Sequence, residues 1–420
     1  MRLSFVLLLT LAPLFAAEPG AKSHLDFRAE ARVAYERKDF AAAKRATMAA
    51  LALRPDSPRY LHNLAALRLL TGDEPGALAT LRQLAALGVA TAVERDPDLA
   101  PLQGTPAFRE ILRQFAVNRD PQGEAEVFAE IPGRTGIAES IAYRPRTGDL
   151  FLGDVHHCGI WRRDRTGQVT RFTAEDGDIL GIFGLGIDEE RNTLWAAMSA
   201  VPEMAGYTPD LKNNTAIAEF NLTTGELRRF VEIPLDGRDH SLGDLVVAPD
   251  GTIYATDSKA PVIWQLAPGA EDVQKVVDSP VFSSLQGLVL EKGTLLVADY
   301  ANGLFAVDLA TGAVTALAPP RNVTLLGLDG LVAVLGGIVA TQNGVEPHRV
   351  VRITLSPEMN KITGFTVLAA SLPDLGDLSL VTLVNGRPTL IAGSGWDVFE
   401  SAKTKPPPAH TVRIFQVALP

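Results

Sequence analysis

Residues 242–258, LGDLVVAPDGTIYATDS, determine the fold assigned to most of the chain. Two short apolar runs rich in β-branched residues flank the turn sequence Pro-Asp-Gly, a pattern typical of a β-hairpin. Similar hairpins occur at five other places, so the chain contains six related units. The six units begin at Ala138, Phe183, Leu242, Leu285, Leu328 and Leu375.

The spacing of these units indicates their architecture. When the hairpins are aligned, the corresponding positions are separated by 45, 59, 43, 43 and 47 residues. These positions are Ser140, Leu185, Asp244, Gly287, Gly330 and Asp377. Such intervals are close to the length of a four-stranded propeller blade, and the longer one indicates an insertion in the second blade. We therefore predict a six-bladed β-propeller over residues 123–420.

The last unit lacks one strand. Residues 378–384, 388–392 and 411–419 provide three strands, and no fourth follows them. Residues 125–131 form a free apolar run ahead of the first blade. We expect this segment to complete the last blade and close the ring.

The region 24–117 has apolar residues at helical spacing, which predicts a small all-α domain. It contains an internal repeat of 34 residues, in which Ala31, Asp39, Ala43 and Ala50 recur as Ala65, Asp73, Ala77 and Leu84. This period resembles the tetratricopeptide repeat, and residues 96–112 resemble its capping helix. Two interpretations stay open: a surface for a protein partner, or a helical hairpin that only packs on the propeller.

Composition excludes some classes of function. The chain has 39 Lys and Arg against 49 Asp and Glu, a net charge of −10, so nucleic-acid binding is not expected. Cys158 is the only cysteine, so no intrachain disulfide can form. Residues 1–17 have the pattern of a secretory signal, with a short membrane anchor as the alternative. We therefore expect a periplasmic or secreted protein with no membrane span after cleavage.

The hairpin motif VVAPDGTIYATDS, at residues 246–258, resembles a pattern in the gluconolactonase, regucalcin and paraoxonase superfamily of six-bladed propellers. The resemblance covers roughly residues 123–420. It implies a Ca²⁺ ion at one end of the central tunnel and hydrolysis of lactones or related esters. Calcium requires six to eight oxygen ligands, and side chains that converge from several blades can supply them.

Aligning the superfamily's ligand positions gives a candidate metal site. The resemblance implies that Glu139, Gln286 and Asp329 bind the metal and that Asp329 or Asp244 activates water. Two positions depart from the superfamily: Gln286 replaces an asparagine, and Gly243 replaces another. The alternative is that these carboxylates only tie inner strands together, without an ion.

Residues in neighbouring loops are candidates for substrate binding. His156 and His157 follow the second strand of the first blade, and His240 precedes the third blade. Asp299 and Asn343 follow the second strands of the fourth and fifth blades, where capping of a turn is the alternative. We therefore expect a metal-dependent lactone or ester hydrolase. The alternative function is a non-catalytic propeller that binds a ligand or protein partner, with the helical repeats as adaptor.

Overall fold

The computed structural model describes residues 22–175, 178–401 and 408–419, and for residues 400 and 401 the backbone only. Five α-helices precede six antiparallel sheets that form the blades of a propeller. The predicted six-bladed β-propeller with a preceding helical region is therefore confirmed. The predicted signal segment, residues 1–17, lies outside the described residues. None of the helices in the described ranges has the length and apolar character needed to cross a bilayer.

The helical region repeats every 34 residues. Its helices are α1 (His24–Glu36), α2 (Phe40–Leu53), α3 (Pro58–Leu70), α4 (Glu74–Ala85) and α5 (Pro106–Asn118), with 3₁₀ turns at Val93–Arg95 and Pro97–Leu102. Asp39 and Asp73, which the sequence repeat aligns, each cap the helix that follows by accepting a hydrogen bond from a backbone N–H. Ala43 and Ala77 are fully buried, so two helices approach closely at both positions.

The strands follow the chain blade by blade. Two strands come first: β1 (Gln122–Gly123) and β2 (Ala125–Arg134). Blade 1 contains β3 (Ala138–Arg144), β4 (Asp149–Asp154), β5 (Gly159–Arg163) and β6 (Val169–Arg171). Blade 2 contains β7 (Gly181–Asp188), β8 (Thr193–Ser199), β9 (Thr215–Asn221) and β10 (Leu227–Glu232), with a 3₁₀ turn at Pro209–Leu211. Blade 3 contains β11 (Leu242–Val247), β12 (Ile253–Asp257), β13 (Val262–Leu266) and β14 (Gln274–Asp278).

The remaining blades have the same order. Blade 4 contains β15 (Leu285–Glu291), β16 (Thr294–Asp299), β17 (Gly303–Asp308) and β18 (Val314–Ala316). Blade 5 contains β19 (Leu328–Val334), β20 (Gly337–Gln342), β21 (Arg349–Leu355) and β22 (Ile362–Ala370). Blade 6 contains β23 (Leu378–Val384), β24 (Arg387–Ala392) and β25 (His410–Val417), and the short helix α6 (Trp396–Ser401) lies between its second and third strands.

Blade 6 is completed by a strand from the other end of the propeller. β2 pairs antiparallel with β25, and the sheet order is β2-β25-β24-β23. The predicted ring closure is therefore confirmed. β1 pairs with β22 at the outer edge of blade 5, so the connection from the helical region crosses one blade before it closes the next.

The first strand of each blade contacts the first strand of the next, which closes a ring around a central tunnel. Close approach requires glycine at some positions, because a Cβ atom on Gly287 would lie 2.4 Å from the backbone oxygen of Asp329. The pairing registers also correct the sequence alignment in two blades. Gly184 and Leu380, not Leu185 and Asp377, correspond to Ser140 of the first blade.

The helical region docks on the loops where the first strands of blades 4 and 5 begin. Val345 of blade 5 is part of the buried core of the helices. The carboxylate of Asp56 accepts a hydrogen bond from the backbone N–H of Leu325 at 3.1 Å. Asn302 Oδ1 accepts from Arg54 Nη2 at 2.6 Å, and His24 Nε2 lies 2.9 Å from the same oxygen. The helices are therefore fixed above one side of the tunnel.

Asn302→Ala is expected to loosen this docking. It leaves Arg54 and His24 without their acceptor inside the interface, and an unsatisfied buried polar group costs about 1–3 kcal/mol. Denaturant unfolding with a probe in each region should show a lower midpoint for the helices. Asn360→Ala, at an exposed turn of blade 5, is the control and should change the midpoint little. Equal midpoints for the two variants would contradict this role for Asn302.

Candidate active site at the tunnel mouth

In each blade the tunnel mouth is formed by the residue that directly follows the last pair before the register between the first and second strands shifts. In all six blades the pairing register shifts at this point, so the backbone bulges there. A bulge of this kind redirects a side chain out of the regular alternation. The six residues of the mouth are Glu139, Phe183, Gly243, Gln286, Asp329 and Ser379. Glu139, Gln286 and Asp329, three of the four residues predicted from the superfamily alignment, therefore occupy equivalent positions in their blades. Gly243 occupies the same position in blade 3.

Glu139 is held by residues of blade 6. Its Oε2 accepts a hydrogen bond from Trp396 Nε1 at 2.5 Å, and its backbone oxygen accepts one from the Ser379 hydroxyl. Burial is the main cause that raises the pKa of Glu139 to about 8, and the nearby charge of Asp329 adds to it. The hydrogen bond from Trp396 opposes the shift because it stabilises the carboxylate.

Asp329 is paired with an asparagine. Asn343 Nδ2 donates to Asp329 Oδ2 at 2.7 Å and to the backbone oxygen of Leu378 at 2.9 Å. Burial raises the pKa of Asp329 to about 6, against the hydrogen bond from Asn343. Asn343 Oδ1 is buried and has no hydrogen-bond partner among the described residues. An acceptor oxygen without a donor therefore lies beside a buried carboxylate.

Gln286 and Gly243 are structurally linked. A Cβ atom on Gly243 would lie 3.3 Å from Gln286 Oε1 and 2.9 Å from the backbone oxygen of Leu285. The longer glutamine side chain therefore extends into space that a side chain at position 243 would need. The two departures from the superfamily pattern compensate each other sterically, and the amide oxygen of Gln286 lies on the blade 3 side of the mouth.

Asp244 faces the neighbouring blade. Its Oδ1 accepts the backbone N–H of Leu245 at 2.8 Å and would lie 2.8 Å from a Cβ atom on Gly184. Burial raises the pKa of Asp244 well above its usual range, and the charge of Asp329 acts in the same direction. Asp244 therefore interacts electrostatically with the mouth from a position between β7 and β11.

The predicted substrate-binding histidines lie in surrounding loops. His156 Nδ1 lies 2.5 Å from the backbone oxygen of Glu203 in the blade 2 insertion, and its ring packs against Phe399 of α6. His157 Nε2 contacts the Thr135 hydroxyl at 3.0 Å, and burial lowers the pKa of this imidazole. The two histidines therefore connect the loops of blades 1, 2 and 6.

The remaining predicted residues divide into two groups. His240 is buried within blade 3, with Nδ1 2.6 Å from Asp257 and Nε2 2.9 Å from Asp236. Asp299 is fully buried and accepts backbone N–H groups of the adjacent turns, so it fits the turn-capping alternative. Asn343 differs from it. Gln342 occupies the register position of Asp299, and Asn343 lies one residue farther, in contact with Asp329.

Two residues at the mouth were not identified from the sequence as site residues. Trp396 begins α6, and its indole N–H reaches Glu139. Asp377 precedes β23 and accepts the backbone N–H of Trp396 at 3.1 Å. Asp377 also acts electrostatically on both mouth carboxylates, since it raises the pKa values of Glu139 and Asp329. The only signal in the sequence was the Gly-Ser-Gly-Trp turn after β24, which brings the indole back over the ring.

A cleft of about 690 Å³ lies between the helical region and the propeller beside this mouth. One wall comes from the beginnings of α1 and α3, and the other from the loops of blades 4 and 5. Asn343 lines the cleft and also contacts Asp329, so the cleft adjoins the mouth carboxylates. The docked helices therefore form part of the surroundings of the site.

The side chains of the mouth fit a hard cation in part. The carboxylates of Glu139 and Asp329 lie close enough for the charge of Asp329 to raise the pKa of Glu139. The amide oxygen of Asn343 has no hydrogen-bond donor among the described residues. All three groups offer oxygen ligands of the type that calcium prefers. Within the described residues, however, no group of three or more His, Cys, Asp or Glu side chains is arranged to hold a metal ion. Any cation site here must therefore use amide oxygens as well as Glu139 and Asp329.

Comparison with known proteins gives structural likenesses only. No protein-family model matches the sequence, and no curated protein sequence matches it. A PQQ-bound aldose sugar dehydrogenase from Streptomyces coelicolor is 15% identical over 71% of this chain and 100% of its own, with a TM-score of 0.49. A gluconolactonase from Xanthomonas campestris is 15% identical over 72% of this chain and 95% of its own, with a TM-score of 0.48. A luciferin-regenerating enzyme is 12% identical over 71% of this chain and 96% of its own, with a TM-score of 0.49.

Proposed function

We propose that this protein is an exported, calcium-dependent hydrolase of lactones or related esters. The observation that carries the proposal is the arrangement of Glu139 and Asp329. Both carboxylates start first strands at one end of the tunnel, and burial raises both pKa values. A divalent cation between them would offset their repulsion and allow both to be ionised at neutral pH. Export rests on the sequence of residues 1–17 alone.

The residues of the mouth have distinct roles in this proposal. Glu139, Asp329, Gln286 and Asn343 would supply the oxygen ligands. When bound, the cation would polarise the lactone carbonyl and stabilise negative charge on its oxygen. Asp329 is first a ligand and second a candidate base for the attacking water, because its pKa of about 6 applies to the site without a cation and a bound cation would lower it. Water adds to the carbonyl carbon, the ring C–O bond breaks, and the leaving oxygen takes up a proton. Asp244 is the second candidate base, although its Oδ1 is engaged by Leu245.

Calcium titration of the chelator-treated protein by calorimetry tests the proposal. We expect micromolar binding by the wild type and a loss of at least tenfold in affinity for both Glu139→Gln and Asp329→Asn. Each substitution removes a charged oxygen ligand and keeps the shape of the side chain. Glu358→Gln, at an exposed position of blade 5, is the matched control and should bind like the wild type. Absence of both binding heat and thermal stabilisation by calcium would overturn the proposal.

A non-catalytic binding propeller is the second candidate. Gly243 favours it, because the backbone of β15 leaves no room for the asparagine that the superfamily has at this position. In that case the helical region, of tetratricopeptide type, would serve as the adaptor for a ligand or protein partner. A panel of lactones and esters, assayed with the calcium-loaded protein, separates the two candidates, since only a hydrolase turns over substrate.

A further inference from the structure

The cleft beside the mouth carries an excess of positive charge. Arg28 of α1 and Arg59 of α3 both line it. Neither guanidinium forms a hydrogen bond or ion pair with another residue in the described part of the chain. Glu346 is the only carboxylate residue among those that line the cleft. Two arginines without a partner among the described residues therefore lie on the same wall of one cleft, in a protein whose net charge is −10.

The other titratable groups of the cleft do not neutralise these arginines. His62 Nε2 is 2.8 Å from Asp96, and His348 Nδ1 donates to the backbone oxygen of Gly376 at 3.0 Å. The Glu346 side chain is 74% exposed and lies 3.8 Å from His348, so it points largely to solvent. Burial and the charge of Arg54 lower the pKa of His24 to about 4, so its imidazole is neutral at pH 7. Its Nε2–H donates to Asn302, and its Nδ1 accepts from the Tyr60 hydroxyl.

Helix geometry adds to the positive potential. α3 begins in the cleft at Ser57 and Pro58, and α1 begins there at His24. The start of a helix carries partial positive charge, which favours an anion. Tyr60 and Tyr300 line the same space and provide ring surfaces that suit a sugar or another small ring.

We propose that this cleft binds a small ligand bearing a phosphate or carboxylate group, with the anionic group on Arg28 and Arg59 and the rest of the ligand directed toward Asn343. Guanidinium groups bind both anions through paired N–H donors. A volume of about 690 Å³ is sufficient for a sugar-sized molecule. The helical region thereby contributes residues that determine which substrates reach the mouth. One part of this assignment rests on the proposed function, namely that the ligand is the substrate, an anionic lactone or ester.

Binding is tested by calorimetry on the full chain with three probes: glucose, glucose 6-phosphate and glucuronate. We expect at least one charged probe to bind at least tenfold more tightly than glucose, and this preference identifies phosphate or carboxylate as the group recognised. Arg28→Ala and Arg59→Ala should each remove most of the difference. Arg32→Ala and Arg45→Ala, at exposed positions of α1 and α2, are the controls and should retain it. Equal binding of all three probes, or equal losses in all four variants, would overturn the proposal.

A separate measurement distinguishes the cleft from the proposed catalysis. The same titrations are repeated with Glu139→Gln, which alters the mouth but not the arginines. Anion binding that persists in this variant supports the cleft site even if the calcium-loaded wild type hydrolyses no lactone, a result that would overturn only the proposed function. Hydrolysis of neutral and anionic lactones at equal rates, unchanged in Arg28→Ala and Arg59→Ala, would overturn the cleft proposal and leave the hydrolase intact.

Discussion

Removal of residues 410–420 is expected to abolish cooperative unfolding of the propeller. β25 lies between β24 and β2, so its loss leaves β2 without any pairing partner and exposes one edge of β24, which still pairs with β23. Val412, Ile414, Phe415 and Val417 are buried in this strand, and their apolar neighbours would become exposed. The ring would open between its first and last blades. The free energy of unfolding would fall by far more than the substitution of one side chain causes. Circular dichroism during thermal or denaturant unfolding should show a broad, weak transition.

Single substitutions in the same strand make this prediction specific. Ile414→Ala keeps the backbone pairing but leaves a cavity in a fully buried site, which costs about 2–5 kcal/mol. Arg413→Ala removes only surface ion pairs, with Glu130 at 3.0 Å and Asp374 at 3.6 Å, each of which contributes about 0.2–1 kcal/mol. A truncated protein that melts as sharply as Arg413→Ala would refute the role of β25 in closing the ring.

The architecture was accessible from the sequence because it repeats. Each blade has two apolar runs around a turn, and the interval between blades determines the number of strands that fit. The incomplete last unit then required a strand from elsewhere, which β2 provides. The repeat could not determine the register in every blade. Leu185 and Asp377 were aligned one and three residues away from the true positions, in the second case because residues 375–378 repeat the letters LGDL of residues 242–245 but lie mostly ahead of their strand.

The candidate site was only partly predictable for a physical reason. Glu139, Gln286 and Asp329 occur at equivalent positions of their blades, so alignment of the repeats brings them together. Trp396 lies outside the repeat and Asp377 was aligned at the wrong position, and the contacts of both depend on how the loop of blade 6 folds over the tunnel. The cleft was not predictable at all. It exists only because α1 and α3 dock against blades 4 and 5, and that geometry has no signature in the sequence of either part.

The stability of the chelator-treated protein is expected to fall as pH rises from about 6.5 to 8.5. The folded-state pKa of Glu139, about 8, lies above its ordinary value of 4.5. Folding therefore favours the protonated carboxyl group, and the stability it contributes is complete at low pH and is lost as pH rises through about 8. Asp329, with a folded-state pKa of about 6 against an ordinary value of 3.8, acts in the same direction, but most of its contribution is already lost at pH 6.5. At about 1.4 kcal/mol for each pKa unit, the loss across this range amounts to about 2 kcal/mol.

The range of pH is chosen to exclude other groups. Burial lowers the pKa of His24 to about 4, which increases stability as pH rises, but that gain is complete above the ordinary histidine value of 6.5. Burial raises the pKa of the Cys158 thiol to about 12, which affects stability only above its ordinary value of 9. Between these limits the slope of the free energy of unfolding against pH comes from the mouth carboxylates together with Asp244, whose pKa burial also raises well above its usual range.

Glu139→Gln identifies the source of the slope. The amide cannot ionise, so the variant should be less sensitive to pH and more stable than the chelator-treated wild type at pH 8.5. Saturating calcium should restore the wild type at this pH, because a cation favours the ionised carboxylates, but should not stabilise the variant to the same degree. Denaturant unfolding at several pH values provides both measurements, with Glu358→Gln as the control. Parallel stability profiles for the wild type and Glu139→Gln would mean that the buried carboxylate is not the group that makes the mouth unstable without a cation.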